Sequence, residues 1–171
     1  GVDACISSWH RVEPNTIPSM AKIAGNYLSG QLIKMEAMAN GYAEGIALSP
    51  SGMVSEGSGQ NVFLVSGGTI VTTPLDGTIL GGITRDTIMT LAREAGIPVR
   101  EAHIPREMLY MADEVFFTGT AAEITPVRSI DKITIGAGKP GPVSMLMQTQ
   151  YLDIVHGRVD DTHGWLTHCR D

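Results

Sequence analysis

The chain has 171 residues, 43% of them hydrophobic and 18% charged, a balance that suits one globular domain with a real core and excludes a disordered chain. A formal net charge of −6 with no basic run anywhere argues against a binder of phosphate backbones. No apolar stretch reaches the length of a membrane span, and no signal peptide opens the chain.

Residues 2–9 alternate Val2, Ala4 and Ile6 against Asp3, Cys5 and Ser7, the pattern of a half-buried strand. Gly1 rather than methionine precedes it, so the chain reads as a piece cut from a longer protein. Pro14, Asn15 and Pro18 break the strand into an irregular lead-in. A helix then opens at Gly25-Asn26, with Asn26 as its cap, and runs to Asn40-Gly41. Leu28, Leu32, Met35 and Ala39 give that helix an apolar stripe. Strands follow at 45–48 and 53–56, joined by the turn Ser49-Pro50-Ser51-Gly52. Val62-Phe63-Leu64-Val65 shows no polar alternation and is expected to be buried on both faces; Ser66-Gly67-Gly68-Thr69 turns it back as a hairpin.

A second helix carries Ile88, Leu91, Ala92 and Ala95 on one face and ends at Gly96 and Pro98. Val99–Ala102 is a short strand, Pro105 starts a short helix through Met111, and Glu114–Phe117 is a strand. Two strands flank Asp131-Lys132, and a Gly/Pro loop over 136–142 feeds a last helix with Met147, Tyr151, Ile154 and Val155 as its buried stripe. Strands outnumber helices without strict alternation, which points to a single α+β domain over 1–171 rather than a doubly wound sheet.

Lys22 is the centre of the candidate chemistry. Met20, Ala21, Ile23 and Ala24 surround it, and burial there would lower its pKa and free a nucleophilic amine; a surface lysine with its stem along apolar neighbours fits the same residues. Lys22 in the extended lead-in and Tyr27 in the first helical turn can reach one ligand. Glu56 closes a strand ahead of the glycines of Gly57-Ser58-Gly59, either as a solvated strand-end carboxylate or as a buried partner for a ring nitrogen. Leu80-Gly81-Gly82-Ile83-Thr84 ahead of a helix offers N–H groups and a hydroxyl to a phosphate, or an ordinary capped connector. Thr118-Gly119-Thr120 adds a further hydroxyl or a mere turn.

Other chemistries fit poorly. His10, His103, His156, His163 and His168 lack metal-ligand spacing, and the last two are expected in solvent. Cys5 and Cys169 form no disulfide framework and suit a reducing cytoplasm. Asp113-Glu114 and Asp160-Asp161 read as solvated charge pairs. No G-x-S-x-G elbow, Walker sequence or G-x-G-x-x-G occurs.

Taken together, Ile6-Ser7-Ser8-Trp9-His10-Arg11, Lys22 to Leu28, Glu56-Gly57-Ser58-Gly59-Gln60-Asn61, Gly82-Ile83-Thr84-Arg85, residues 112–123 and His163-Gly164-Trp165-Leu166-Thr167 make the chain resemble the C-terminal, cofactor-binding domain of the branched-chain amino-acid aminotransferases, in pyridoxal-phosphate fold type IV. The resemblance implies mixed, strongly curved sheets in a pseudo-barrel flanked by helices, with pyridoxal 5'-phosphate as cofactor and no metal. It makes Lys22 the Schiff-base lysine and catalytic residue. Tyr27 would bond the cofactor's phenolic oxygen and Glu56 its ring nitrogen; Leu80 would pack on the ring, while Ile83, Thr84 and Thr120 hold the phosphate. The Thr120-Ala121 backbone would face the substrate carboxylate. Gln60 stands where many members carry glutamate.

The implied activity is ping-pong transamination of L-leucine, isoleucine or valine with 2-oxoglutarate in branched-chain amino-acid biosynthesis, in a cytoplasmic homo-oligomer, dimer or higher. A D-amino-acid or (R)-amine transaminase, an aminodeoxychorismate lyase, and an inactive cofactor-binding fragment are the alternatives. The family's N-terminal small domain, which brings an arginine to the phosphate, is absent from this chain.

Overall fold

The computed structural model describes residues 1–167 and 169. Its strands are β1 (Val2–His10), β2 (Glu44–Leu48), β3 (Val54–Gly57), β4 (Asn61–Ser66), β5 (Thr69–Thr72), β6 (Val99–Glu101), β7 (Glu114–Gly119), β8 (Glu123–Ile130) and β9 (Ile133–Thr134). The helices are α1 (Tyr27–Ala39), α2 (Ile83–Glu94), α3 (Arg106–Met111) and α4 (Pro142–Val155). All nine strands belong to one mixed sheet, ordered β3-β2-β1-β8-β7-β4-β5-β6 with β9 paired to β8. Its two edges meet, because the Val54 N–H donates to the Ile104 carbonyl at 2.8 Å just beyond β6. The sheet is thus rolled into a partial barrel, the expected curvature in one sheet rather than several.

Rolling separates the core into an inside and an outside. Val62 and Leu64 of β4 and Val115 and Phe117 of β7 pack inside with Ala4, Ile46, Val71 and Ile130. Phe63, Val65 and Phe116 face outward, where α2 and α4 cover them with Ile88, Leu91, Ala92, Met147 and Ile154. Both faces of β4 are dry, which is why its sequence carries no polar alternation. No described helix is long and apolar enough to cross a membrane.

Several sequence expectations give way here. Strand β1 is not half-buried in alternation: Cys5 and Ser7 are buried with Ala4, because the barrel interior covers one face of the strand and α1 packs against the other. Helix α1 buries Gly30, Ile33 and Ala37, while Leu28 and Met35 of the expected stripe are 63% and 67% exposed. The small residues win because the helix lies close to the sheet: a Cβ at Gly30 would collide with the Ser58 carbonyl. Ala95 and Val155 also stay exposed at the ends of their helices.

In each acidic pair the first residue, Asp113 or Asp160, is exposed as expected, while the second has a structural task. Glu114 is buried, and its two oxygens accept the N–H groups of Val143 at 2.9 Å and Ser144 at 2.8 Å. These are donors that the start of α4 cannot satisfy internally. Asp161 accepts the N–H groups of His163 and Leu166 at 3.2 and 2.6 Å, and the Leu166 bond, the largest cause, holds its carboxyl below the usual range. His163 is not free in solvent but stacks on Trp165 and approaches Glu94 to 3.3 Å. His168 lies outside the described residues. Glu114→Ala should lower unfolding free energy by about 2 kcal/mol or more, since it strands two buried N–H groups; urea denaturation measures this, and a loss under about 0.5 kcal/mol would contradict the anchoring role.

Candidate active site

The open end of the rolled sheet holds a cavity of about 320 Å³. Strand β3 delivers Glu56 to it near its end, β4 starts there with Asn61, and β7 ends there with Thr118 and Gly119, Thr118 lying directly opposite Asn61 in register. The lead-in before α1 contributes Lys22, the first turn of α1 contributes Tyr27, and the start of α2 contributes Gly82, Ile83 and Thr84. Lys22, Tyr27, Glu56, Leu80, Ile83, Thr84 and Thr120, seven residues singled out from sequence, therefore share one cavity wall. Ala121 is exposed beside Thr120 and does not line the cavity.

The lead-in is built as foreseen: Lys22 sits in irregular backbone and Tyr27 opens α1. Asn26 does not cap that helix, however. Its backbone is already helical and its side-chain amide turns back, donating to the Pro18 and Ala21 carbonyls at 2.8 Å each. Ser19 donates to the Gly77 carbonyl, which ties the lead-in to the loop before α2. These bonds fix the backbone next to Lys22. Of the two environments the sequence left open for Lys22, the structure shows the surface one. The residue is exposed, and so are Met20 and Ile23 beside it, at 52% and 46%, because no element of this chain packs over them.

Glu56 shows the opposite environment. It is buried, and the Arg11 guanidinium meets one of its oxygens at 2.6 Å. The other accepts the Leu80 N–H at 3.1 Å and the Asn61 amide at 3.3 Å. Burial pushes the carboxyl up to about 7, against the pull of Arg11 and of the Leu80 N–H. The solvated strand-end reading is excluded.

Helix α2 opens without a side-chain cap on Gly82, so its first N–H groups point to the cavity unclaimed by any described residue. Gly82 is needed for this approach: a Cβ there would collide with Asn61 Oδ1. Asn61 also donates to the Leu80 carbonyl at 2.8 Å, so one side chain braces both Glu56 and the loop entering α2. The Thr118 hydroxyl is buried without a hydrogen-bond partner among the described residues. Buried polar atoms are rarely left so, and this one lies in the cavity wall.

Sequence reasoning gave no role to Arg11 or Asn61. Arg11 follows a strand end beside exposed Trp9 and His10, and nothing in its immediate neighbours signals burial; only the long-range need of a buried carboxylate for a cation would have found it.

The chain belongs to the class IV aminotransferases: the family model described as Amino-transferase class IV matches residues 2–130. More narrowly, it is 53% identical over 166 residues to the branched-chain-amino-acid aminotransferase of Escherichia coli (strain K12), covering 97% of this chain and 54% of the relative. The crystal structure of an E. coli branched-chain amino acid aminotransferase superposes with a TM-score of 0.96 at 52% identity, over 98% of this chain and 55% of that one. The T.th. branched-chain amino acid aminotransferase complexed with N-(5'-phosphopyridoxyl)-L-glutamate is similar with a TM-score of 0.95 at 45% identity, over 98% and 56%. The chain spans about half the length of these relatives.

The Glu56 environment has a pH consequence. A carboxyl raised from 4.5 to about 7 binds its proton more tightly in the folded protein than in the unfolded chain. Its contribution to stability is whole below about pH 4.5 and is lost as pH rises toward 7. The stability difference between wild type and Glu56→Gln, measured by urea unfolding, should therefore move against the wild type across that window. A difference constant with pH would show that Glu56 titrates as an ordinary surface acid.

Proposed function

We propose that this chain is the cofactor-binding large domain of a branched-chain amino-acid aminotransferase that uses pyridoxal 5'-phosphate to transfer the amino group of L-leucine, isoleucine or valine to 2-oxoglutarate. The observation that carries this reading is the cavity itself, which brings an amine, a buried carboxylate and an uncapped helix N-terminus to one wall. The likeness to a relative holding a phosphopyridoxyl ligand supports it.

The residues present fit the cofactor. The N–H groups of Ile83 and Thr84, with the Thr84 hydroxyl and the positive end of α2, suit a phosphate. The Thr118 hydroxyl, without a partner among the described residues, and the exposed Thr120 line the same cavity and would be further donors. Tyr27 would hold the phenolic oxygen, Leu80 would pack on the ring, and Glu56 would accept the ring N–H. The Thr120-Ala121 backbone would meet the substrate carboxylate. When bound, pyridoxal phosphate supplies a carbonyl that condenses with amines and a ring that accepts electrons.

Within that arrangement Lys22 has two tasks. Its Nζ would hold the cofactor and, once free, would take the proton from the substrate α-carbon. That second task requires a neutral amine shielded from water. The exposure of Lys22 in this chain fits a site completed elsewhere in a protein about twice as long, by the small domain that would also bring the phosphate arginine. The working protein is proposed to be a cytoplasmic homo-oligomer.

Lys22 is one of four lysines, with Lys34, Lys132 and Lys139. Borohydride reduction of the cofactor-loaded intact protein, followed by peptide mapping, should place the pyridoxyl group on Lys22, and in a separate assay of the unreduced protein L-leucine should be a better amino donor than D-alanine or an (R)-amine. Label recovered on another lysine would remove the mechanism; preference for D-alanine or the (R)-amine would move the protein to a sibling activity.

A further inference from the structure

Arg11 lies just past β1, and the Arg11 and Glu56 side chains are each only 6% exposed. Their 2.6 Å contact is the one ion pair with both partners so deeply buried among the described residues. Burying two charges costs several kcal/mol per ion before their attraction is counted, so a pair that serves only stability is a poor use of an interior position. The pair also stands at the wall of the cavity rather than in the middle of the core. Glu56 uses one oxygen for Arg11 and the other for the Leu80 N–H and the Asn61 amide. Both of the latter donors would also serve a protonated, neutral carboxyl through its carbonyl oxygen; the guanidinium alone among them demands the anion.

We infer that Arg11 is a positioning residue of the proposed reaction, whose guanidinium favours the anionic form of the buried Glu56 at the cavity wall, so that the carboxylate can accept a hydrogen bond from a protonated ring nitrogen. The inference rests on the proposed function for its consequence, but the pair itself does not. Lys22 and Tyr27 are the other titratable side chains lining the same wall among the described residues, and both approach from the lead-in and α1, on the open side. Arg11 approaches from the end of β1, on the closed side, with its side chain buried. Its Nε is buried without a partner, so the guanidinium is held by Glu56 rather than by a wider network.

The experiment uses the intact protein with Arg11→Met, Arg11→Gln and Arg11→Lys. Without cofactor, the infrared carboxylic-acid band of Glu56, identified by its disappearance in Glu56→Gln, is followed against pH. Both neutral variants should shift its midpoint upward by about one unit or more, and Arg11→Lys should bring it back toward wild type. With cofactor at equal occupancy, single-turnover proton transfer should slow tenfold or more in the neutral variants, about 1.4 kcal/mol, with KM little changed, and recover as pH is raised. A neutral variant that folds and titrates Glu56 at the wild-type pH, or that turns over at the wild-type rate, overturns the inference. Should Arg11→Met fail to fold, Arg11→Gln keeps a donor to Glu56 and decides the same point. Failure of the unaltered protein to load cofactor on Lys22 would instead sink the functional reading, leaving the infrared titration to judge the pair alone.

Discussion

The closure of the sheet is the constraint on which everything else depends. The bridge between Met53 and Pro105, with its bond from Val54 to Ile104, marks where the two edges meet, and it follows from the strong twist that a nine-stranded mixed sheet carries. Once rolled, the sheet has an inside filled by its own side chains and an outside that two helices must cover. It also has an open end at which β3, β4 and β7 stop or start together. The polar side chains gathered there are not guests on a finished core. They fill the region where the layers of core residues run out.

That placement explains the chemistry of the wall. Glu56 comes from a strand whose other residues are buried, so its carboxylate reaches the cavity through dry surroundings, and the donors it meets are fixed by neighbouring strands and loops. Asn61, one strand over, ties the carboxylate to the Leu80–Gly82 backbone. The spacing between the acid and the helix N-terminus is thus set by that side chain together with the Leu80 N–H, which reaches Glu56 directly. Preorganisation of this sort keeps donors and acceptors in place before a ligand arrives.

How much of this could be read from the sequence depends on range. The doubly buried strand 62–65, the Gly67-Gly68 hairpin with both glycines at positive φ, the turn at 49–52 and the junction between lead-in and α1 were legible, because each is set by residues within a few positions. Helix α1 was misread. Apolar Leu28 and Met35 suggest one buried face, whereas the sheet takes the face carrying Gly30 and Ala37, and close approach outweighs hydrophobicity there. Glu114 and Arg11 were missed for a related reason: each is buried by a partner far away in sequence, a helix start in one case and a carboxylate in the other. Asn26 misled because asparagine before a helix usually caps it, while here the better acceptors are carbonyls of the lead-in itself.

The charge of the site runs against the charge of the chain. The protein carries −6 overall, yet the charged residues lining the cavity are Arg11, Lys22 and Glu56, two cations against one acid. The N-terminus of α2 adds positive potential from its free N–H groups. Arg11 is matched by Glu56, which leaves Lys22 and the helix end as the uncompensated terms, on the open side where a ligand enters. An anion drawn to the cavity therefore meets its attraction at the α2 end, and the acid at the closed end remains available for a cationic ring atom. A molecule with a phosphate at one end and a basic nitrogen in its ring satisfies both poles at once, and neither pole alone would orient it. The orientation is thus set by the separation of charges along one cavity, which in turn is fixed by the rolled sheet that holds Glu56 and the start of α2 apart.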